Sequence, residues 1–289
     1  MTDALAQGVQ DMKPRTVGKW VEDGLLASSQ FSKSTQRGRD PGVFPVEQRQ
    51  LFRELLSLRE RSDPKRIPHR ALAPVVLLMW LLSDDIVPAS QARRALRTYA
   101  RGTGRNNAAR RKESARLVVE QFAHSSATIA QRRAAQLLLE EGEESRRPEW
   151  DKLHSALTSL CSPWPSPGLP LLERGIGLPE LPLTVTDALA IWVARGRVVA
   201  LLEREQVSEA QLAEARALHR QEWASYEAQR SRLEERAMTP GFFARPDSAQ
   251  AQALEQVSAF VLTLAGFLGI LRITVAEARD GRLPPQAAR

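Results

Sequence analysis

Apolar residues recur every three or four positions along most of the 289-residue chain, and no long run alternates strictly between apolar and polar residues. The first pattern is typical of amphipathic helices, whereas strict alternation is typical of half-buried strands. The predicted helices cover residues 4–12, 15–23, 47–61, 73–88, two runs within 90–123, 131–144, 184–206, 208–237 and 252–279. The predicted fold class is therefore all-α, mostly helical, with one small β-hairpin near residues 30–44.

Proline and glycine are concentrated at residues 161–182, CSPWPSPGLPLLERGIGLPELP. Both residue types interrupt regular structure, so this stretch is the best candidate for a linker. We predict an N-terminal domain, a helical region with a basic surface, the linker and a C-terminal helical domain, at 1–66, 67–160, 161–183 and 184–289. Trp164, Trp192 and Trp223 either fill a bundle core or dimer interface, or line a cavity for a small-molecule effector.

The most apolar stretch near the C-terminus is VSAFVLTLAGFLGIL, residues 257–271, and Arg272 follows it. A membrane span needs about 20 apolar residues, so these 15 predict a buried helix and no membrane partner; a membrane-tethered chain stays the alternative. The N-terminal MTDALAQGVQDMKPR lacks the apolar core of a signal peptide. One cysteine, Cys161, excludes an intrachain disulfide and fits a reducing compartment, so the predicted localisation is cytoplasmic.

Positive charge is concentrated in the front of the chain. Residues 1–116 hold 22 Lys and Arg against 12 Asp and Glu, whereas residues 117–289 hold 19 against 22. A second basic run lies between Arg93 and Arg116, with nine Lys and Arg in 24 positions. This asymmetry predicts a polyanionic partner for the front part of the chain.

The stretch RTVGKWVEDGLL, residues 15–26, combines an apolar stripe with a basic face. On a helix Val17, Trp20 and Val21 share one side, whereas Arg15 and Lys19 fall outside it. A short predicted helix and a turn precede the stretch. This is the layout of a helix-turn-helix, whose second helix enters the major groove of DNA.

The same stretch resembles the recognition-helix segment of MerR-like winged helix-turn-helix proteins. The matching residues are Thr16, Val17, Trp20, Gly24, Leu25 and Leu26 for the helix and its stop, Arg37, Gly38, Arg39 and Phe44 for a basic wing, and Leu51, Leu55, Leu58 and Arg59 for the following helix. The resemblance covers about residues 4–61. Gly18 stands where the family usually has a basic residue, and the turn before the helix is longer than usual.

The resemblance implies a sequence-specific DNA-binding module, typically a transcriptional regulator that binds double-stranded DNA as a homodimer. It places a recognition helix, residues 14–23, in the major groove and a wing, residues 33–44, on the backbone. The predicted DNA-binding residues are Arg15, Thr16, Lys19 and Trp20 on the helix, Arg37 and Arg39 on the wing, and Arg93, Arg94 and Arg97 as supplementary contacts. Trp20 either donates its indole N–H to a phosphate or fills the core, and the second basic run is otherwise a solvated face.

The same domain would also suit a different class of protein, a DNA-organising accessory factor of recombination or plasmid maintenance that is similar to excisionases. No nucleophile elbow, phosphate-binding loop or cluster with zinc-ligand spacing occurs in the sequence, so we expect neither an enzyme nor a metal or cofactor.

Overall fold

The computed structural model describes residues 13–29, 44–61, 69–103, 108–144, 149–161, 176–237 and 241–279. Its α-helices are α1 (Pro14–Glu22), α2 (Val46–Arg61), α3 (Ala73–Leu82), α4 (Ala89–Thr103), α5 (Ala108–Phe122), α6 (Ile129–Glu144), α7 (Trp150–Cys161), α8 (Val185–Glu203), α9 (Glu209–Arg236), α10 (Ala249–Phe267) and α11 (Ile270–Arg279). A 3-10 turn, His69–Leu72, leads into α3. The mostly helical class is confirmed. The predicted helix 4–12 and nearly all of the predicted wing hairpin lie outside the described residues.

Two short strands, β1 (Ile176–Leu178) and β2 (Leu181–Leu183), form an antiparallel hairpin in which Ile176 pairs with Leu183. This hairpin falls inside the stretch predicted as a linker, residues 161–183, so the end of that stretch is ordered by strand pairing. The sequence does not predict it, because a three-residue strand is too short to show alternation.

The chain forms two compact units, each assembled from three separate parts of the sequence. The first comprises Met1–Gly102, Ala200–Arg220 and Pro246–Phe260. Its core is made of buried side chains from α1, α2, α3, α4 and α10, among them Trp20, Leu55, Leu77, Leu96 and Phe260. Trp80 meets Phe260 edge to face, with ring centroids 5.4 Å apart.

The second compact unit comprises Thr103–Val199, Gln221–Arg245 and Val261–Arg289. Helices α5, α6 and α7 pack on one another around Val119, Phe122, Leu139 and Leu157. The start of α8 adds Val185 and Leu189 to the same core.

These boundaries differ from the four predicted segments. Residues 69–102 belong to the same unit as α1 and α2, and parts of the predicted C-terminal domain, 184–289, belong to each unit. Sequence composition marks breaks in the chain, whereas a compact unit is defined by contacts between distant residues. The helix α7 also lies in a stretch, residues 145–160, for which the sequence pattern predicts no element.

Helix starts follow the local signals. Ser208 and Gln211 form a capping box at α9, where the Ser208 N–H donates to Gln211 Oε1 over 2.9 Å and the Gln211 N–H donates to Ser208 Oγ over 3.2 Å. Thr184 and Asp187 make the equivalent pair at α8. Both start within two residues of the prediction, because a capping box supplies partners for backbone N–H groups that the helix itself leaves unpaired.

The predicted helix 252–279 is two helices, α10 and α11. The chain bends by 80° between the two helices, and Gly269, which has φ +72°, lies at the break. Within the described residues no single helix has the length and apolar character of a membrane span, and only the bent pair Ala249–Phe267 with Ile270–Glu277 meets those criteria jointly.

Candidate nucleic-acid interface

The predicted recognition helix exists as α1, nine residues long. Pro14 occupies its first turn, where a missing N–H leaves no helical hydrogen bond unmade. The Lys13 carbonyl accepts the N–H groups of Thr16 and Val17 over 2.9 and 3.4 Å. A helix this short is marginal in water on its own, so α1 depends on tertiary contacts along one side.

Trp20 supplies the main contact on that side. It is fully buried, and its ring meets Phe52 of α2 edge to face with centroids 5.5 Å apart. Of the two roles predicted for Trp20, the structure therefore supports the core role. Its burial excludes the predicted phosphate contact, because the indole does not reach the protein surface.

Helix α1 ends in a Schellman motif that explains the sequence Gly-Leu-Leu. The N–H of Leu25 donates to the Trp20 carbonyl over 2.8 Å, and the N–H of Gly24 donates to the Val21 carbonyl over 3.1 Å. Gly24 has φ +75°, and a Cβ there would lie 2.2 Å from the backbone nitrogen of Ala95. Glycine is required both by the left-handed conformation and by the close approach of α4. Leu25 and Leu26 then enter the core.

Two buried glutamines fix the chain that follows α1. Gln48 of α2 accepts the N–H of Ala27 at 2.8 Å and donates to the Ile86 carbonyl at 2.6 Å and to Gln91 Oε1 at 2.9 Å. Gln91 of α4 donates in turn to the Leu25 carbonyl at 3.1 Å. The sequence does not predict a structural role for either glutamine. One signal for a buried amide was present in the sequence: Gln48 lies three residues before Leu51, on a helix stripe that is otherwise apolar.

The three arginines predicted as supplementary DNA contacts, Arg93, Arg94 and Arg97, are half-buried and make contacts within the protein. Arg94 Nε donates to the Val21 carbonyl at 3.1 Å, and Arg97 Nη2 donates to the Glu22 carbonyl at 3.2 Å. Arg97 also pairs with the carboxylate of Glu205, and Arg93 donates to the Glu205 carbonyl. All three side chains thus bind the protein's own backbone or Glu205, and their role as supplementary DNA contacts stays a prediction. Desolvation lowers the pKa of Arg94, and the guanidinium still stays charged at neutral pH.

The opposite side of α1 is exposed and basic. Arg15 and Lys19 are exposed there. Lys13 is exposed at the N-cap, and Thr16, four residues before Trp20, is half-buried at the edge of the buried side. Lys19, with 54% of its side chain accessible, forms ion pairs with Glu22 at 3.3 Å and Asp23 at 3.2 Å. The hydrogen bonds that the Lys19 ammonium donates to the carboxylates of Asp23 and Glu22 raise the pKa of Lys19. We call these four residues, Lys13, Arg15, Thr16 and Lys19, the α1 face.

Gly18 lies among them, with no atom within 4 Å of the position that a Cβ would take. The position at which MerR-like proteins usually have a basic residue is thus an open surface position in this chain.

The other predicted contacts are not all described. Arg37 and Arg39, the wing residues, lie outside the described residues. From the second basic run, Arg101 and Lys112 are exposed, and Arg116 is paired with Glu113 and Glu120 on its own helix. Among the described residues no three His, Cys, Asp or Glu side chains converge as a metal site would require.

Comparisons with protein-family models, with curated proteins and with solved structures give no match to this chain.

Proposed function

We propose that this chain is a sequence-specific DNA-binding protein, a transcriptional regulator, that presents the α1 face to the major groove. The observation that carries the proposal is the contrast between the two sides of α1. One side is anchored by the buried Trp20, and the other carries the exposed Arg15 and Lys19. Two arginines, Arg94 and Arg97, bind carbonyls at the C-terminal end of α1, and two glutamines, Gln48 and Gln91, bind the chain that follows it.

The spacing along α1 fits this role. Arg15 and Lys19 are four residues apart, so they lie one above the other on the same face. In helix-turn-helix proteins the N-terminal residues of the recognition helix contact base edges, and Arg15 and Thr16 occupy such positions. Arginine can hydrogen-bond a guanine edge with two N–H groups, whereas lysine and threonine commonly contact phosphate. Glu22, at the far end, limits the basic surface to the first two turns.

Recognition of a specific DNA sequence requires that α1 be held rigidly. A base contact is effective only if the side chain starts from a fixed backbone position, since misplaced donors leave polar groups unpaired. The Schellman motif and the contacts from Arg94, Arg97 and Gln91 hold the end of α1 and the chain just after it, at the carbonyls of Val21, Glu22 and Leu25. We further propose that Arg37 and Arg39 contact the flanking backbone and that a homodimer binds two half-sites.

The first experiment is selection of bound fragments from random genomic duplex DNA by the full chain, repeated over a series of salt concentrations. An enriched palindromic motif supports the regulator. A steep salt dependence without a motif favours an architectural accessory factor, because phosphate contacts alone carry no sequence information. No binding at low salt refutes the proposal.

A pair of lysine variants tests the α1 face itself. Lys19→Ala is expected to weaken binding to the selected fragment and to reduce the slope of log K against log salt by about 1. Lys152→Ala is the matched control, because Lys152 is also an exposed helical lysine paired with a glutamate three residues away. Equal binding by both variants contradicts the assignment of the α1 face.

A further inference from the structure

Glu205, in the connection between α8 and α9, has an unusual backbone conformation. Glu205 has φ +56°, and it is the one non-glycine residue with positive φ among the described residues. The Gln206 N–H donates to the Leu201 carbonyl at 2.9 Å, and the Glu205 N–H donates to the Leu202 carbonyl at 3.2 Å. These bonds form the pattern in which helices usually place glycine, because a side chain there strains the backbone.

Both ends of Glu205 are held by arginines of α4. Its carboxylate pairs with Arg97, and its carbonyl oxygen accepts Arg93 Nη2 at 2.5 Å. Arg97 is largely withdrawn from solvent, with 25% of its side chain exposed. The glutamate side chain therefore has a role that glycine, the easier residue for the turn, lacks.

Arg97 links this turn to the α1 face. Its second guanidinium nitrogen, Nη2, donates to the Glu22 carbonyl, the last helical residue of α1, while Nη1 pairs with Glu205. The last carbonyls of a helix have no partners within the helix, and a cation there is favourable for the helix dipole. An arginine fixed at both ends of its guanidinium plane holds that carbonyl in one direction, which a solvated arginine does not.

We infer that Glu205 is a positioning residue for DNA recognition: by orienting Arg97, it fixes the direction in which α1 presents Arg15 and Lys19. The inference rests on the proposed function for its DNA readout. It assigns sequence discrimination, rather than overall affinity, to a residue that lies in another part of the chain and carries the same sign of charge as DNA.

The test variant is Glu205→Gly, which removes the carboxylate and suits the positive φ. Gln206→Gly is the matched control, since Gln206 is the exposed neighbour in the same turn and gains the same backbone freedom. Amide hydrogen exchange of the full chain is measured for peptides covering 14–29. Faster exchange in this segment for Glu205→Gly but not for Gln206→Gly is expected, with equal thermal stability or better for Glu205→Gly. Unchanged exchange overturns the inference whether or not the chain binds DNA.

The DNA readout compares the selected fragment with a scrambled duplex of equal length. Glu205→Gly is expected to reduce the ratio of specific to non-specific affinity by about tenfold, while binding to the scrambled duplex stays the same or rises slightly. Glu205→Asp, which keeps the carboxylate and tolerates positive φ, is expected to recover part of the ratio. If wild type selects a motif and Glu205→Gly discriminates equally well, the positioning role is refuted and the DNA-binding proposal stands. If wild type binds no DNA, the proposed function itself fails.

Discussion

At the residue scale, the packing of Gly24 and of Gly18, six residues before it, can be compared by replacing each with alanine. Gly24→Ala is expected to destabilise the protein by about 3 kcal/mol or more, because the new Cβ would meet the backbone of α4 in a left-handed conformation. Gly18→Ala is expected to stabilise it by about 0.5–1 kcal/mol, since the position is open and inside a helix. Urea unfolding of both variants measures the difference, and similar values for the two would contradict the packing described for Gly24.

The burial of His219 is expected to make the stability of the first unit depend on pH. Burial lowers its pKa to about 4 from the usual 6.5, and its ring lies against Phe260 with centroids 5.7 Å apart. Between pH 6.5 and 4 the unfolded chain takes up a proton that the folded chain does not, so stability falls as the pH drops through this window. The loss from this group is at most about 3 kcal/mol.

The measurement is the free energy of unfolding at pH 7.5 and pH 5 for wild type and His219→Leu. The variant is expected to lose less stability between the two values, because it has no proton to bind at this position. An identical loss in both proteins would show that other groups carry the pH dependence.

At the element scale, the position of α1 depends on an amide network between α2 and α4. Gln48→Met keeps the volume of the side chain but removes partners from the Ala27 N–H and from Gln91. Leaving buried polar groups unpaired is expected to cost about 2–3 kcal/mol in total. Gln50→Met, at an exposed position of the same helix, controls for the change in composition. Thermal unfolding at neutral pH compares the two, and equal midpoints would exclude a stabilising role for the network.

At the scale of the whole molecule, the first unit needs sequence from the end of the chain. Arg216 and Arg220 of α9 donate to the carbonyls of Ser83 and Leu81 at the end of α3 and pair with Asp84. Phe260 of α10 packs on Trp80 from the same helix α3. A fragment ending at residue 183 lacks all of these contacts, although it contains α1 to α4 complete.

We therefore expect the fragment 1–183 to lack a cooperative thermal transition of its tryptophan near-UV dichroism, whereas the full chain has one. A fragment 1–66, the predicted N-terminal domain, is also expected to lack a cooperative transition. It does not contain α4, against which Gly24 packs and whose Gln91 donates to the Leu25 carbonyl. Cooperative unfolding of 1–66 alone would support the domain boundary at residue 66 that composition and resemblance predict. DNA binding should accordingly be measured on the full chain.

The sequence alone determined the features that depend on neighbouring residues. The period of apolar positions identified most of the helices, although it missed α7 and joined α10 and α11 into one. The capping pair Ser208 and Gln211 marked a helix start, and Gly24 marked the end of α1. Each of these is a local preference of the backbone, so a window of a few residues contains the necessary information. The stripe on α1 also indicated which side is buried, although it left open whether Trp20 reaches a phosphate.

Only the tertiary structure decided which charges are available to a partner. Arg97 meets Glu205 across 108 positions of chain, and Arg94 meets the Val21 carbonyl across 73. No periodicity or composition relates residues so far apart, so a basic run could not be separated into arginines that hold the fold and lysines and arginines that face solvent. The same reason explains the two discontinuous units: packing joins helices by the shape of their buried faces, and the order of those faces in space is not written in their order along the chain.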